Sequence, residues 1–356
     1  MAKSTRDHLH RPLRSSPRDG AFLRTFAAVF ASLLLALAAL VWVTDPLATF
    51  GTGLVPPIVS ADRDYKATLY RARRPSPEVV LLGSSRVKTI RPQCVTALTG
   101  RPAFNFGVNA GTAEDFLAIF RFMRAEPGFK VREVLLGAEP EAFAGDGRPG
   151  RALAQSRALA SFVSPTATDL DQIWSDLLSA GSLSAALRSV WHHGFDRHAL
   201  PLERLEPDGL QARPLWDDQI RGGRFHRYTE VLASSRAIRG RYTRDVRLSS
   251  SRVAQLRQLL TETRKAGVRV TAFVPPVHPA LSRDAVGTSF DRLTEDMVAV
   301  LRAAERAGLL HYVETRSLAD FAGDSTLYYD AIHMTSGNAD KLLAAVYPST
   351  GRCAVQ

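Results

Sequence analysis

The 356-residue chain has only two cysteines, Cys94 and Cys353, so it is no disulfide-rich scaffold and admits a single intrachain pairing. It has no internal repeat, and no long low-complexity segment outside its polar N-terminal tail, which excludes repeat architectures. Long apolar runs are scarce as well; the notable one is Thr25 to Thr44. With 45% hydrophobic and 23% charged residues, disorder is not the dominant state. The length suits one α/β domain of about 250 to 300 residues plus an anchor.

The formal charge is +11, a balance that fits nucleic acid, membrane head groups or an acidic polymer as partner. Placement decides among them. Lys3, Arg6, Arg11, Arg14, Arg18 and Arg24 crowd the first 24 residues against Asp7 and Asp19, whereas no basic residue stands between Asp45 and Arg63. The 20 uncharged residues 25–44 are long enough to cross about 30 Å of hydrocarbon as a helix. The asymmetry therefore predicts a basic cytoplasmic tail (1–24), a transmembrane helix (25–44) and a C-terminal part outside the cytoplasm, periplasmic or extracellular. Two alternatives stay open: a cleaved signal peptide, since Ala36-Leu37-Ala38 resembles a cleavage site, and a buried core helix. On the exported side Cys94 and Cys353 are either disulfide-bonded or two separate thiols.

Residues 45–77, with Pro46, Pro56, Pro57, Pro75 and Pro77, read as a juxtamembrane linker with some local order. Beyond them apolar strands alternate with helical patterns. Strands are expected at 78–82, 103–106, 131–136, 268–274 and 309–313, and helices from Arg86 onward and at 112–124, 251–266 and 290–307. This alternation predicts an α/β fold, a flavodoxin-like doubly wound parallel sheet whose ligands bind at the carboxyl ends of the strands. Residues 141–247 interrupt it and read as a helical insertion or cap within the 78–356 domain.

Three motifs fall where such a sheet would gather them: Gly83-Ser84-Ser85-Arg86 after the first strand, Asn105 to Gly111 after the second, and Asp330-Ala331-Ile332-His333 near the C-terminus. The set resembles the SGNH or GDSL hydrolase superfamily over roughly residues 78 to 346. The resemblance implies Ser85 as nucleophile, His333 as general base, Asp330 as the acid orienting it, and an oxyanion hole from the Ser85 and Gly107 amides. A serine hydroxyl needs an imidazole to take its proton, and the imidazole needs an acid to fix its tautomer. As alternatives, Ser84, Ser85 and Asp330 are helix caps, His333 is a surface histidine, and Gly107 and Gly111 are plain turn residues.

The sequence departs from that superfamily in two places. Ser84 replaces the usual Asp of the first block, and Gly137-Ala138-Glu139-Pro140 stands where a glycine and an asparagine donor are expected. Glu139, if ionised, repels an oxyanion and has no hydrogen to donate, which leaves Asn109 as the candidate replacement donor. GSSR, the single N-terminal span, Asp45-Pro46 and Pro275-Pro276-Val277-His278 look like a membrane-anchored subgroup. That subgroup is similar to the D-alanine transfer protein of teichoic-acid modification and to exopolysaccharide acetylation proteins.

The resemblance implies a serine acyltransferase or esterase acting on acyl groups of a cell-envelope polysaccharide or polymer. The expected partners are that polymer or an acylated glycan, a membrane-bound O-acyltransferase, and the bilayer itself. No nucleic acid, metal or organic cofactor is expected. Glu139 and His278 are candidate substrate-binding residues, with a simple loop residue as the alternative for His278. The rival reading is a non-catalytic envelope protein that binds the polymer or the acyltransferase. Three further patterns are weak: the 191–198 histidine cluster matches no established metal spacing, 145–150 matches GxGxxG without its strand-to-helix context, and Arg221 to Arg224 is a lone RGG-like loop.

Overall fold

A computed structural model describes residues 17–46, 62–145, 147–154, 156–163, 180–194, 203–223 and 246–348, with residues 52, 54–55, 177–178 and 353. The strands are β1 (Val79–Leu82), β2 (Ala103–Asn105), β3 (Glu133–Gly137), a separate hairpin of β4 (Arg204–Leu205) and β5 (Gln211–Ala212), then β6 (Arg269–Phe273) and β7 (His311–Val313). The five expected strands appear within two residues of their expected ends. They form one parallel sheet in the order β2-β1-β3-β6-β7.

The strands are apolar throughout because both faces of the sheet are covered. Val80, Leu82, Val134, Leu136, Val270 and Ala272 point into one core, and Val79, Leu81, Leu135 and Phe273 into the other. The first core is closed by α2 (Asp62–Ala72), α4 (Ala113–Ala125) and the helices Ser250–Lys265 and Ser289–Arg306, the second by α3 (Pro92–Thr99) and Ser336–Val346. Helix α4 shows the local logic. Asp115 accepts the Thr112 N–H at 2.9 Å to cap its start. Phe116, Ile119, Phe120 and Met123 form its buried stripe, each worth about 1.5 to 3 kcal/mol of burial. Glu126 turns extended before Pro127 and ends the helix.

The strand order reverses between β1 and β3, so a crevice opens beyond their carboxyl ends, the usual ligand position in such sheets. Gly83-Ser84-Ser85 and Ala138-Glu139 lie there.

Two expectations change. No helix starts at Arg86; residues 85–89 form turns and the helix begins at Pro92. The Val87 and Ile90 carbonyls accept instead from Asn105 Nδ2, both at 2.9 Å, and Arg91 is extended before the proline. The segment read as a linker contains α2, whose Lys66 and Ala67 are fully buried, so Asp62 already belongs to the folded domain. Within the 141–247 insertion the described parts include the helix Ala180–Gly194, the β4–β5 hairpin and the helix Pro214–Arg221, while the Arg-rich stretch 224–245 lies outside the described residues.

At the N-terminus, α1 (Pro17–Thr44) carries one stretch, Gly20–Thr44, long and apolar enough to cross a membrane. Only 11% of its most apolar window is buried, so it is not a core helix of the domain. Cys94 and Cys353 form a disulfide that ties Cys353 to α3.

Candidate active site

The turn after β1 is built around one side chain. A Cβ on Gly83 would meet Val87 Cγ2 at 2.3 Å, and a Cβ on Gly137 would meet the same atom at 2.2 Å. Glycines at the ends of adjacent strands thus make room for Val87, which locks the Ser84-Ser85 turn down onto the sheet.

Ser85, His333 and Asp330 come together as one hydrogen-bonded chain. His333 Nε2 lies 2.8 Å from Ser85 Oγ, and His333 Nδ1 lies 2.7 Å from Asp330 Oδ2. The other Asp330 oxygen accepts the Ile332 and His333 amides, both at 2.8 Å. This explains the D-x-x-H spacing. One carboxylate oxygen closes a tight turn over the next three residues, and that turn delivers the imidazole to the second oxygen. Burial opposes ionisation of Asp330, but the His333 hydrogen bond, the His333 charge and the two amides outweigh it and bring the carboxyl down to about 2. An ionised Asp330 at Nδ1 fixes the tautomer that presents Nε2 as acceptor to the Ser85 hydroxyl. The His333 and Asp330 side chains stay 14% and 24% exposed, so the constellation opens to solvent.

The oxyanion donors differ from expectation. The Gly107 N–H donates to Asn105 Oδ1 at 2.9 Å, so it is engaged and not free for a substrate oxygen. Asn105, not anticipated from sequence, is fully buried and organises both turns, holding Gly107 with its oxygen and the Val87 and Ile90 carbonyls with its nitrogen. The Ser85 N–H has no acceptor among the described residues. The Asn109 backbone N–H donates to Asp62, and Asn109 Oδ1 accepts from Lys88 Nζ at 2.6 Å. Since an ammonium only donates, this contact fixes which side of the amide is oxygen and leaves Nδ2 on the other side as a donor.

Glu139 is 1% exposed, and both its oxygens lie 3.1 Å from the Ser84 N–H, which they accept. Burial pushes its carboxyl up to about 7, against the pull of the Arg86 charge and the Ser84 hydrogen bond. Arg86, itself buried, donates to the Pro275 carbonyl at 3.0 Å and to Glu141 at 2.5 Å. Glu139 therefore braces the nucleophile turn from below. His278 plays a comparable part. Its N–H donates to the Ala331 carbonyl at 2.9 Å, its Nδ1 caps the following helix through the Ala280 N–H, and its ring packs edge-on against Tyr328. It supports the Asp330–His333 turn.

Beneath the Asn105–Gly111 loop lies a charged cluster that sequence reasoning missed because it comes from α2, read as linker. Arg63 donates to Asp115 at 2.7 Å and to the Asn109 carbonyl at 3.2 Å; Lys88 donates to Asp62 at 3.2 Å. Lys66 donates to the Gly107 carbonyl at 2.6 Å, and full burial with Lys88 close by holds its ammonium well below the ordinary lysine range. The signal available was the run of Asp62, Arg63 and Lys66 on one helix face.

The insertion contributes a wall. The Asn105 N–H donates to the Asp208 carbonyl at 2.9 Å, and a Cβ on Gly209 (φ +84°) would strike the Asn105 carbonyl at 2.1 Å. Tyr329, next to Asp330, donates to Asp217 at 2.5 Å and meets Trp216 edge-on. A cavity of about 140 Å³ behind Arg86, Pro140 and Pro275 is lined by neither Ser85 nor His333.

Among the described residues the one cluster of metal-ligating atoms is Cys94, Cys353 and Asp340; the two sulfurs are bonded to each other and Asp340 is paired with Arg91. The side chains of the 192–198 histidine cluster lie outside the described residues. Gly147 to Gly150 lead into a single helical turn, Arg151–Ala154, with no strand running into it among the described residues.

No family model and no curated protein matches this sequence. Among solved structures the chain is similar to a candidate acylhydrolase from Bacteroides fragilis, with 10% identity over 81% of this chain and 95% of that one and a TM-score of 0.37. It is also similar to a candidate platelet activating factor from Streptococcus pneumonia, with 11% identity over 82% and 93% of the two chains and a TM-score of 0.35.

Proposed function

We propose that this chain is a serine acyl-transfer enzyme of the SGNH type, held to the membrane by α1, with its domain outside the cytoplasm. The observation that carries the reading is the unbroken relay Ser85 Oγ to His333 to Asp330 at 2.8 and 2.7 Å. His333 takes the Ser85 proton as Oγ attacks the acyl carbonyl. The oxyanion is met by the Ser85 N–H and Asn109 Nδ2, in place of the engaged Gly107 amide. The protonated imidazole, stabilised by Asp330, returns its proton to the leaving oxygen, and Ser85 is left acylated. Water or a polymer hydroxyl, deprotonated by His333, then takes the acyl group, and the imidazole returns that proton to Ser85 Oγ as its bond to the acyl carbon breaks.

The exported location is supported by the basic tail before α1 and by the Cys94–Cys353 disulfide, which suits an oxidising compartment. The acceptor is an envelope polysaccharide or polymer, and the acyl donor is supplied by a membrane-bound O-acyltransferase; the motif resemblance supports both. Turnover of an activated acyl ester by wild type, Ser85→Ala and His333→Ala tests the reading. Both variants should lose several orders of magnitude. Wild-type turnover in Ser85→Ala would remove Ser85 as the nucleophile, and no turnover by the wild-type chain itself would leave a polymer-binding protein.

A further inference from the structure

The exposed face of α1 is not uniform along its length. Phe22, Phe26, Val29, Phe30 and Leu33 are open on the N-terminal half. From Leu34 onward one stripe turns inward: Leu34 and Leu37 are half-buried, and Ala38, Val41 and Thr44 are buried. This stripe packs on the helix Ala180–Gly194, the element with which α1 makes its extensive contact among the described residues. It begins ten residues before Thr44, or about 15 Å along the helix, which is half of the roughly 30 Å of hydrocarbon that 25–44 would cross. Whatever lies against it sits at the depth of acyl chains.

The 180–194 helix has three flanks suited to that position. Ser182, Ala185, Ala186 and Ser189 are buried and small, which permits close approach of two helices. The neighbouring flank is apolar and open, with Leu187 56%, Val190 43% and Trp191 65% exposed. The third carries the exposed Ser184 and Arg188, fit for head groups. Fifteen residues are too few to span a bilayer. On α1 itself Leu35, Trp42 and Val43 are likewise apolar and exposed.

We propose that the 180–194 helix is a second membrane contact, seated in the leaflet on the domain's side beside α1, with its Leu187–Val190–Trp191 flank against lipid acyl chains. The insertion then ties the domain to the membrane surface at a second point. This rests on reading α1 as a membrane span. The test places an environment-sensitive fluorophore on single cysteines at Leu187, Val190, Phe30 or Val286 in the full chain, whose native cysteines are joined to each other. The labelled chains are reconstituted in phosphatidylcholine–phosphatidylglycerol vesicles with or without acyl-chain spin-labelled lipid. Phe30 reports α1, and Val286, 73% exposed on the domain, reports water.

Probes at Leu187, Val190 and Phe30 should each lose at least about half their emission to the spin-labelled lipid and resist iodide, with Val286 behaving oppositely. Quenching of Leu187 and Val190 by iodide alone, with Phe30 still quenched by lipid, would overturn the second contact and leave the anchor intact. Protection of Leu187 and Val190 from both quenchers would assign the flank to a second copy of the chain and equally overturn it. If Phe30 too answered only to iodide, the span itself would fall and the inference with it.

Discussion

The Ser84 N–H lies 3.1 Å from both carboxylate oxygens of Glu139. The two residues meet because β1 and β3 pair in register up to Leu82 and Leu136, so the turns leaving both strands emerge side by side. An asparagine at this turn would offer a donor to a reacting oxygen; Glu139 instead accepts from the backbone one residue before the nucleophile. Its burial costs something, and that cost depends on pH.

Glu139 ionises at about 7 in the folded chain against an ordinary 4.5, so between these values the native state binds more protons than the unfolded state. Stability therefore falls as pH rises through that window and levels off above it. Glu139→Gln keeps an oxygen for the Ser84 N–H and has nothing to ionise. Its stability relative to wild type should rise with pH, by on the order of 3 kcal/mol between about pH 4.5 and 8. Urea unfolding of the solubilised chains at the two pH values measures this, and a pH-independent difference would contradict it. Ester hydrolysis above neutral pH should also rise in the variant, since a negative charge near the oxyanion is gone.

Asp330 shifts the other way, held at about 2 against an ordinary 3.8. Its contribution to stability is complete above 3.8 and is lost as pH falls through 2. Asp330→Asn keeps the shape and removes the charge, so it should lower kcat by about 10³- to 10⁴-fold at neutral pH. Its stability deficit at neutral pH should shrink as wild type is acidified. A deficit that persists unchanged at low pH would show that the carboxylate charge is not what the turn uses.

Much of the fold was legible from periodicity and punctuation. Apolar runs ending in glycine or proline marked each strand, and α4 followed its Phe116, Ile119, Phe120 and Met123 spacing. The relay was legible too, since Ser85 and the D-x-x-H turn are short-range patterns whose meeting the sheet order explains. What escaped was set by tertiary partners. The expected helix after Ser85 was replaced because a side chain 18 residues away, Asn105, takes the Val87 carbonyl. The same residue engages Gly107, and α2 looked like linker because Asp62, Arg63 and Lys66 share its buried face with Ala67 and Tyr70, and the partners of those charges lie far along the chain.

Asn105 should therefore be costly to remove. Asn105→Ala leaves the Gly107 N–H without its acceptor and the buried Val87 and Ile90 carbonyls without their donor, a loss of about 2 to 4 kcal/mol. A thermal unfolding midpoint equal to wild type would contradict the organising role. Asn105→Asp restores the acceptor and repels the two carbonyls, so it should rescue little.

Asn109 and Lys88 separate donation from support. Asn109→Ala should reduce kcat about 10²-fold with KM little changed, the signature of a group used in the transition state. Lys88→Met, which removes the ammonium at Asn109 Oδ1, should reduce kcat less and leave the chain folded. Equal losses in KM and none in kcat for Asn109→Ala would move this residue from oxyanion stabilisation to substrate binding.

The most direct measurement is the mass of the Ser85 peptide after wild-type chain is mixed with an activated acyl ester and quenched in acid. The peptide should carry one acyl group within the first turnover, slowly or not at all in His333→Ala and never in Ser85→Ala, which should also stop turnover. Ester turnover with the acyl group on another residue, or undiminished in Ser85→Ala, would contradict the account.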